Sequence, residues 1–189
     1  MRKLKLQVQI SLDGFIAGPK GEMEWMEWNW DDQLRNYISQ IMNPVDCIIL
    51  GRKLAEGFIP YWAEIALKPD DPDFEPAKML TRTQKVVFTK TLQESKWENT
   101  ILAKGDLVEE IKKLKDQDGQ DIIAYGGATF VSALIKERLI DEFYFLLDPT
   151  AIGHGLPIFN EIGTMQGFSL IESTPFNCGI VVLHYEQKK

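Results

Sequence analysis

The sequence has little of what several classes of protein require. It has only two cysteines, Cys47 and Cys178, far apart in apolar stretches, which indicates buried thiols and no disulfide framework. It has no Lys/Arg-rich run and a formal net charge of -7, which argues against nucleic-acid binding. No apolar run reaches membrane length, and no signal-type segment follows the basic first residues. We therefore expect a cytoplasmic protein without nucleic-acid or membrane partners.

Ordinary globular features fill the chain. Its 189 residues predict one domain, 1–189, with a sizeable core. Apolar stretches at 45–51 and 121–125 are typical of strands buried on both faces, and helical patterns follow each of them. The proline-rich stretch 60–76 predicts an exposed excursion, and 167–187 predicts two strands joined by a turn. The pattern is that of an α/β fold with a mostly parallel sheet, helices on both faces and an antiparallel C-terminal strand pair.

A double glycine, Gly126-Gly127, stands between the strand at 121–125 and the following helix. Backbone N–H groups at a helix N-terminus attract anions, and glycine lets a phosphate approach because it has no Cβ. The segment lacks the spacing of the G-x-G-x-x-G fingerprint and has no Walker lysine. A phosphate cradle and a simple tight turn therefore both remain open.

Two other predicted strand ends carry polar or cationic residues. Gly51 is followed by Arg52 and Lys53, and the strand beginning at Lys85 ends in a Thr-Lys-Thr triplet, residues 89–91. Open α/β sheets bind ligands at the carboxyl ends of their strands, so the three ends together favour a dinucleotide with an extra phosphate. The alternative for the adjacent cations is a solvated salt-bridge pair.

Aromatic residues and carboxylates form a second group of candidates. The stretch "EMEWMEWNWDD" (22–32) contains Trp25 and Trp28, and Tyr61 and Trp62 follow a proline. These side chains predict a stacking wall over a planar heterocycle, the alternative being core packing beneath a loop.

Two carboxylates are candidates for catalysis. Asp13 precedes Gly14 in an Asp-Gly turn, where it can bind a substrate hydroxyl or N–H, or serve the turn alone. Asp31 or Asp32 can cap the helix that follows, and for Asp32 a capping role is favoured over a catalytic role.

Four segments, "SLDGFIAG", "ILGR", "VVFTKT" and "YGGATFVSALIKERLIDEFYFLLDPTAIGHGLPIF", resemble the dihydrofolate reductase-like fold. More closely, they resemble the reductase domain of bacterial riboflavin biosynthesis and its stand-alone relatives, over nearly the whole chain. The resemblance implies an NADPH-dependent reductase, with no metal site. The two isolated histidines and the lack of a C-x-x-C motif predict no zinc deaminase activity.

The resemblance also implies the cofactor contacts. The nicotinamide carboxamide would meet the backbone of Ile16 and Ala17, and the adenosine phosphates would meet Gly51, Arg52 and Lys53. The adenine-ribose side and the pyrophosphate would be lined by Thr89, Lys90 and Thr91 and by Tyr125, Gly126, Gly127, Ala128, Thr129 and Phe130. Leu54 stands where dihydrofolate reductases present a threonine, and the position expected to carry the pterin-binding carboxylate falls near Arg35, so folate is not expected as the substrate.

The predicted function is hydride transfer from NADPH to a small polar heterocycle or a ribosylamino-pyrimidine, as in 5-amino-6-(5-phosphoribosylamino)uracil reductase. The alternative is a nucleotide-binding or dimeric interaction module without turnover. A homodimer through the apolar C-terminal strands is also predicted.

Overall fold

The computed structural model describes residues 1–188. Its helices are α1 (Asp32–Met42), α2 (Arg52–Ile65), α3 (Phe74–Arg82), α4 (Leu107–Asp116) and α5 (Ala128–Lys136). Its strands are β1 (Leu4–Ile10), β2 (Val45–Gly51), β3 (Gln84–Phe88), β4 (Thr100–Ala103), β5 (Asp121–Tyr125), β6 (Glu142–Leu147), β7 (Phe168–Pro175) and β8 (Val181–Gln187).

All eight strands form one sheet in the order β4-β3-β2-β5-β1-β6-β8-β7. The first six are parallel to one another, and β8 and β7 are antiparallel additions at one side. The register pairs Gly51 with Phe88, and Ile49 with Ala124, two residues before Gly126. The carboxyl ends of β3, β2, β5 and β1 therefore lie side by side at one edge of the sheet.

Apolar residues on both faces of the sheet are covered by helices. In β1, Leu4 and Leu6 face a core that includes Ile111 of α4 and Val131 of α5. The opposite face packs against α1, α2 and α3. Burial of both faces explains why β2 and β5 are apolar almost throughout. The predicted mostly parallel sheet, with helices on both faces and an antiparallel C-terminal pair, is confirmed.

The N-terminus of α1 is capped by Asp31 and not by Asp32. The Asp31 carboxylate accepts from Leu34 N at 2.8 Å and from Cys178 N at 3.1 Å, which also ties the helix to the β7–β8 turn. Asp32 is the first residue of α1 and is exposed. Its capping assignment is therefore wrong, because the cap lies one residue earlier, and its catalytic role stays a prediction.

Part of the predicted excursion at 60–76 is helical. The α2 helix runs through Pro60 to Ile65. Pro60 is exposed, whereas Ile59 and Ile65 are buried in the core beside the sheet. Packing of the apolar face thus outweighs the helix-breaking tendency of proline, which removes only one backbone donor here.

Within residues 1–188, none of the helices combines the length and apolarity needed to cross a membrane. The outermost strand, β7, exposes about half of Leu170 and Ile171. The predicted homodimer would use this side of the sheet, and it stays a prediction.

Candidate functional site

The double glycine lies at the junction between β5 and α5, and its two members differ. Gly127 is the N-cap of α5 with φ +89, a conformation that favours glycine whatever surrounds it. Gly126 has no left-handed φ, and a Cβ built on it would meet no atom within 4 Å. Neither backbone conformation nor internal packing accounts for Gly126. The space beside it is open at the N-terminus of a helix.

Gly51 is glycine for a packing reason. A Cβ at this position would come within 2.9 Å of Phe130 Cβ. Phe130 lies in the first turn of α5, and its ring contacts Phe88 at the end of β3, with centroids 5.1 Å apart. The close approach of Gly51 to Phe130 fixes the end of β2 against the start of α5. The glycine turn and the cationic segment 52–53 are therefore neighbours.

Cations stand at two of the strand ends. Arg52 is paired with Glu56 one turn along α2, with 2.8 Å between Nη1 and Oε1, and Lys53 is exposed. Lys90, two residues beyond β3, donates from Nζ to the carbonyls of Lys104 and Gly105 at 2.9 and 2.7 Å. The structure thus brings positive charge to the ends of β2 and β3, as the sequence predicts.

The Thr-Lys-Thr triplet lies just beyond β3 and not within it. Thr89 is buried, and its Oγ1 accepts from the N–H groups of Thr91 and Leu92, each at 3.1 Å. Its hydroxyl therefore shapes the loop, while Thr91 is exposed at the surface.

Residues 11–17 and 150–157 join to form a platform beyond the ends of β1 and β6. Leu12 N donates to Thr150 O at 2.8 Å, Ile16 N to Leu156 O at 3.1 Å, and Leu156 N to Ala17 O at 2.8 Å. This pairing does not use the Ile16 carbonyl or the Ala17 N–H. The backbone atoms predicted to meet the nicotinamide are therefore held by a rigid partner loop.

The Asp13 carboxylate fastens this platform. It accepts from Ser11 Oγ at 2.6 Å, from Ile152 N at 3.2 Å and from Gly153 N at 2.6 Å. These bonds, with that of Ser11 first, lower the pKa of Asp13 below its ordinary value. Asp13 is therefore ionised at neutral pH, and it acts as an acceptor that holds two loops together.

A line of aromatic rings leads from α2 to the end of β5. Tyr61 contacts Trp62 edge-on with centroids 5.2 Å apart, Trp62 contacts Phe58 at 6.1 Å, and Phe58 contacts Tyr125 at 5.3 Å. Tyr61 is 55% exposed, whereas burial raises the pKa of Tyr125 and keeps its hydroxyl neutral. The two predicted aromatics of α2 thus lie beside the residue that precedes the double glycine.

Trp28 and Trp30 form a second aromatic surface, and we call these two residues and the nearby Trp25 the tryptophan wall. Trp28 is 57% exposed and stacks on Trp30, with centroids 6.5 Å apart and planes 20° from parallel. Trp30 packs on the same core as Phe58 and Trp62, so one tryptophan serves the core and another faces solvent. Trp25 is half-buried, and its Nε1 lies in the interior without a hydrogen-bond partner among the described residues.

Gln9 and Asp148, which the sequence did not single out, hold the backbone of the tryptophan wall at Glu27. The Asp148 carboxylate accepts from Glu27 N at 2.7 Å and from Gln9 Nε2 at 3.0 Å. Gln9 Nε2 also donates to Glu27 O at 3.0 Å. A usable signal was present, because Asp148 is the single charge that ends the apolar run "FYFLL".

The site residues fit a dinucleotide phosphate. Gly126 leaves open space that a Cβ would enter, this space lies beside the N-terminus of α5, where N–H groups are unpaired within the helix, and Arg52 and Lys53 stand at the adjoining strand end. Leu54 Cβ lies 3.8 Å from the Cβ position of Gly127, so an apolar side chain borders the cradle where dihydrofolate reductases place a threonine.

Known proteins resemble this chain over its whole length. The uncharacterized protein YyaP of Bacillus subtilis (strain 168) is 31% identical over 186 residues, covering 97% of this chain and 94% of YyaP. A proposed riboflavin biosynthesis protein from Shewanella sp. PV-4 has a similar crystal structure, with TM-score 0.73, 24% identity and 99% coverage of both chains.

Two further structures share the fold at lower identity. The Thermotoga maritima diaminohydroxyphosphoribosylaminopyrimidine deaminase/5-amino-6-(5-phosphoribosylamino)uracil reductase aligns with 99% of this chain and 57% of its own length, with TM-score 0.69 and 17% identity. Dihydrofolate reductase from Enterococcus faecalis, complexed with NADP(H), aligns with 99% of this chain and 97% of its own, with TM-score 0.60 and 16% identity. The predicted dihydrofolate reductase-like fold is thereby confirmed. The family described as the RibD C-terminal domain matches residues 2–182, and the chain therefore belongs to that family.

Proposed function

We propose that the protein is an NADPH-dependent oxidoreductase that reduces a small polar heterocycle or a ribosylamino-pyrimidine. The observation that carries the proposal is the place of Gly126, an unobstructed glycine directly before the N-cap of α5, with the cations Arg52 and Lys53 at the adjoining strand end. Membership of the RibD C-terminal domain family supports a reductase, and the Thermotoga relative is a reductase of a ribosylamino-pyrimidine by name.

Each part of the site has a proposed task toward the cofactor. The N–H groups at the start of α5 would bind the pyrophosphate, and Arg52 and Lys53 would bind the adenosine phosphates. Residues 89–91 would border the adenine-ribose side. The backbone of Ile16 and Ala17 would orient the nicotinamide ring, which when bound supplies a hydride.

The acceptor would lie between the two aromatic surfaces. The tryptophan wall stands beyond β1 and the α2 aromatics stand beside the end of β5, which is the neighbouring strand. Trp28 and Tyr61 are both exposed, and each would offer a flat ring on which a planar heterocycle could stack. Ionised Asp13 can accept a hydrogen bond from a substrate N–H or hydroxyl, and we assign the proton that completes the reduction to water.

The test is calorimetric titration of the parent protein and two variants with NADPH and, separately, NADH. Gly126→Ala puts a methyl group where the phosphate would lie, so we expect NADPH affinity to fall about tenfold or more. Gly163→Ala is the matched control, because its Cβ also meets no atom within 4 Å but lies in the loop before β7. We expect the control to bind like the parent, and the parent to prefer NADPH.

Two outcomes contradict the proposal: no binding of either nucleotide by the parent, or unchanged affinity in Gly126→Ala. NADPH binding without oxidation, across a series of pyrimidine and pterin acceptors, would instead favour the alternative of a nucleotide-binding module without turnover.

A further inference from the structure

The backbone of Glu27 is held at both its N–H and its carbonyl. Its N–H donates to Asp148 Oδ1 at 2.7 Å. Its carbonyl accepts from Gln9 Nε2 at 3.0 Å and from Trp30 Nε1 at 2.8 Å. Gln9 also donates to Asp148 Oδ2 at 3.0 Å, so the two holding side chains orient each other. The two peptide groups on either side of the Glu27 Cα, in the middle of the tryptophan wall, are thus fixed by three side chains.

The holding side chains of Gln9 and Asp148, which we call the clamp, come from the rigid part of the fold. Gln9 lies in β1, where it pairs with Leu146 of β6, and Asp148 follows the end of β6. Asp148 N donates to Ile10 O at 2.8 Å, which extends the strand pairing by one more bond. The clamp therefore holds segment 23–31, which has no regular secondary structure of its own, in a fixed position at the edge of the sheet.

Stability alone does not account for the carboxylate of Asp148. The residue is fully buried, and both of its hydrogen-bond donors are neutral. Burial raises the pKa of Asp148, the nearby Glu27 carboxylate adds to this, and the two donors offset it only in part. An uncompensated buried charge is costly, and such groups concentrate at functional sites.

We infer that Asp148 and Gln9 are positioning residues. They fix the backbone N–H and carbonyl of Glu27, and through them they hold the tryptophan wall next to the place where the hydride acceptor would bind. The inference rests on the function proposed above. The β1 strand lies next to β5, whose end carries the glycine turn, so a wall anchored on Gln9 is held at a set distance from the cradle. Without the clamp, the stacked pair of Trp28 and Trp30 would keep its own contact but lose its place on the sheet edge.

The decisive variant is Asp148→Asn, which keeps the shape of the side chain. The oxygen of the introduced amide can still accept from Glu27 N, but its NH₂ group then faces Gln9 Nε2, which is also a donor. Gln9 must turn away to accept, and its bond to the Glu27 carbonyl is lost. We expect amide exchange in segment 23–31 to rise about tenfold, while NADPH affinity stays within about twofold of the parent.

A spectroscopic signal separates positioning from a purely structural role. Tryptophan emission transfers energy to bound NADPH, and the efficiency depends steeply on the distance between the rings. We expect Asp148→Asn to lower this efficiency with little change in melting temperature. Asp106→Asn is the matched control, because the Asp106 carboxylate likewise accepts from two N–H donors, both of them backbone groups at the N-cap of α4, and asparagine caps equally well.

The outcomes are distinguishable. Parent-like exchange and energy transfer in Asp148→Asn overturn the inference, and so does a uniform acceleration of exchange over the whole chain. If that variant does not fold, Gln9→Met decides, since it keeps the length of the side chain but removes the donor to both the Glu27 carbonyl and Asp148: unchanged exchange in 23–31 overturns the clamp. Failure of the parent to bind NADPH overturns the proposed function, and the positioning role with it, whereas the exchange data still test the clamp.

Discussion

Gly155 is the position at which the platform is most sensitive to a single added methyl group. A Cβ there would lie 2.3 Å from Ala17 O, 2.9 Å from Phe15 Cβ and 3.0 Å from Ile152 Cδ1. The closest of these atoms is backbone, and Leu156 N holds it with a hydrogen bond of 2.8 Å. The two loops must separate by about 1 Å to restore ordinary contact, which breaks that bond or strains its neighbours.

We expect Gly155→Ala to lower the free energy of unfolding by about 1–3 kcal/mol, the usual cost of overpacking at a site that cannot relax. Urea denaturation measures this, and an unchanged slope with denaturant shows that the compactness of the two states is the same. Gly163→Ala, in open space, should change the free energy by less than about 0.5 kcal/mol. The reasoning is refuted if the two variants are equally stable. Because Ile16 and Ala17 move with the loop, NADPH affinity should fall in Gly155→Ala only.

Two further predictions concern charged side chains. Glu56→Gln removes the ion-pair partner of Arg52, and exposed helix pairs of this kind contribute about 0.3–0.5 kcal/mol. Because Arg52 is then free to bind a phosphate, we expect NADPH to bind about twofold more tightly at low salt. Affinity equal to that of the parent would contradict this. Asp13→Asn tests whether the Asp13 carboxylate stabilises the platform. Because folding lowers the pKa of Asp13, the contribution of the ionised carboxylate to the free energy of unfolding is present at neutral pH. This contribution is lost as the pH falls from about 4, the ordinary pKa of an aspartate, through the lower pKa of the folded state. Stability measured against pH should therefore separate parent from variant at pH 7 and bring them together in acid, and a constant difference would contradict the assignment.

Much of the fold was predictable because local patterns and tertiary structure agree. The bounds of β2 and β5 match the apolar stretches 45–51 and 121–125, since each is a compact apolar run with turn residues beside it. The α2 helix was cut short at Pro60, because a proline signal is local whereas the burial of Ile59 and Ile65 depends on the whole fold.

The candidate site was predictable only in part, for a related reason. Segments such as 126–130 carry a pattern that is visible along the chain, whereas the clamp joins Gln9, Glu27 and Asp148 across 139 sequence positions. Likewise, nothing in the sequence reveals that Gly51 is required by Phe130 while Gly126 faces open space. Contacts between residues far apart in the sequence determine the role of each glycine or carboxylate, and only the packed structure shows these contacts.

The order of strands in the sheet also governs how the chain can fold as it is made. The β1 strand lies between β5 and β6, whose residues come more than a hundred positions later in the sequence and are therefore synthesised after it. Until those strands leave the ribosome, β1 has no neighbour to pair with, and its apolar side chains have no helix to cover them. The platform forms later still, because the hydrogen-bond partners of residues 11–17 are residues 150–157. A nascent chain therefore completes the platform only after residue 157 has been made, and a chain that stops before then leaves β1 free to pair wrongly.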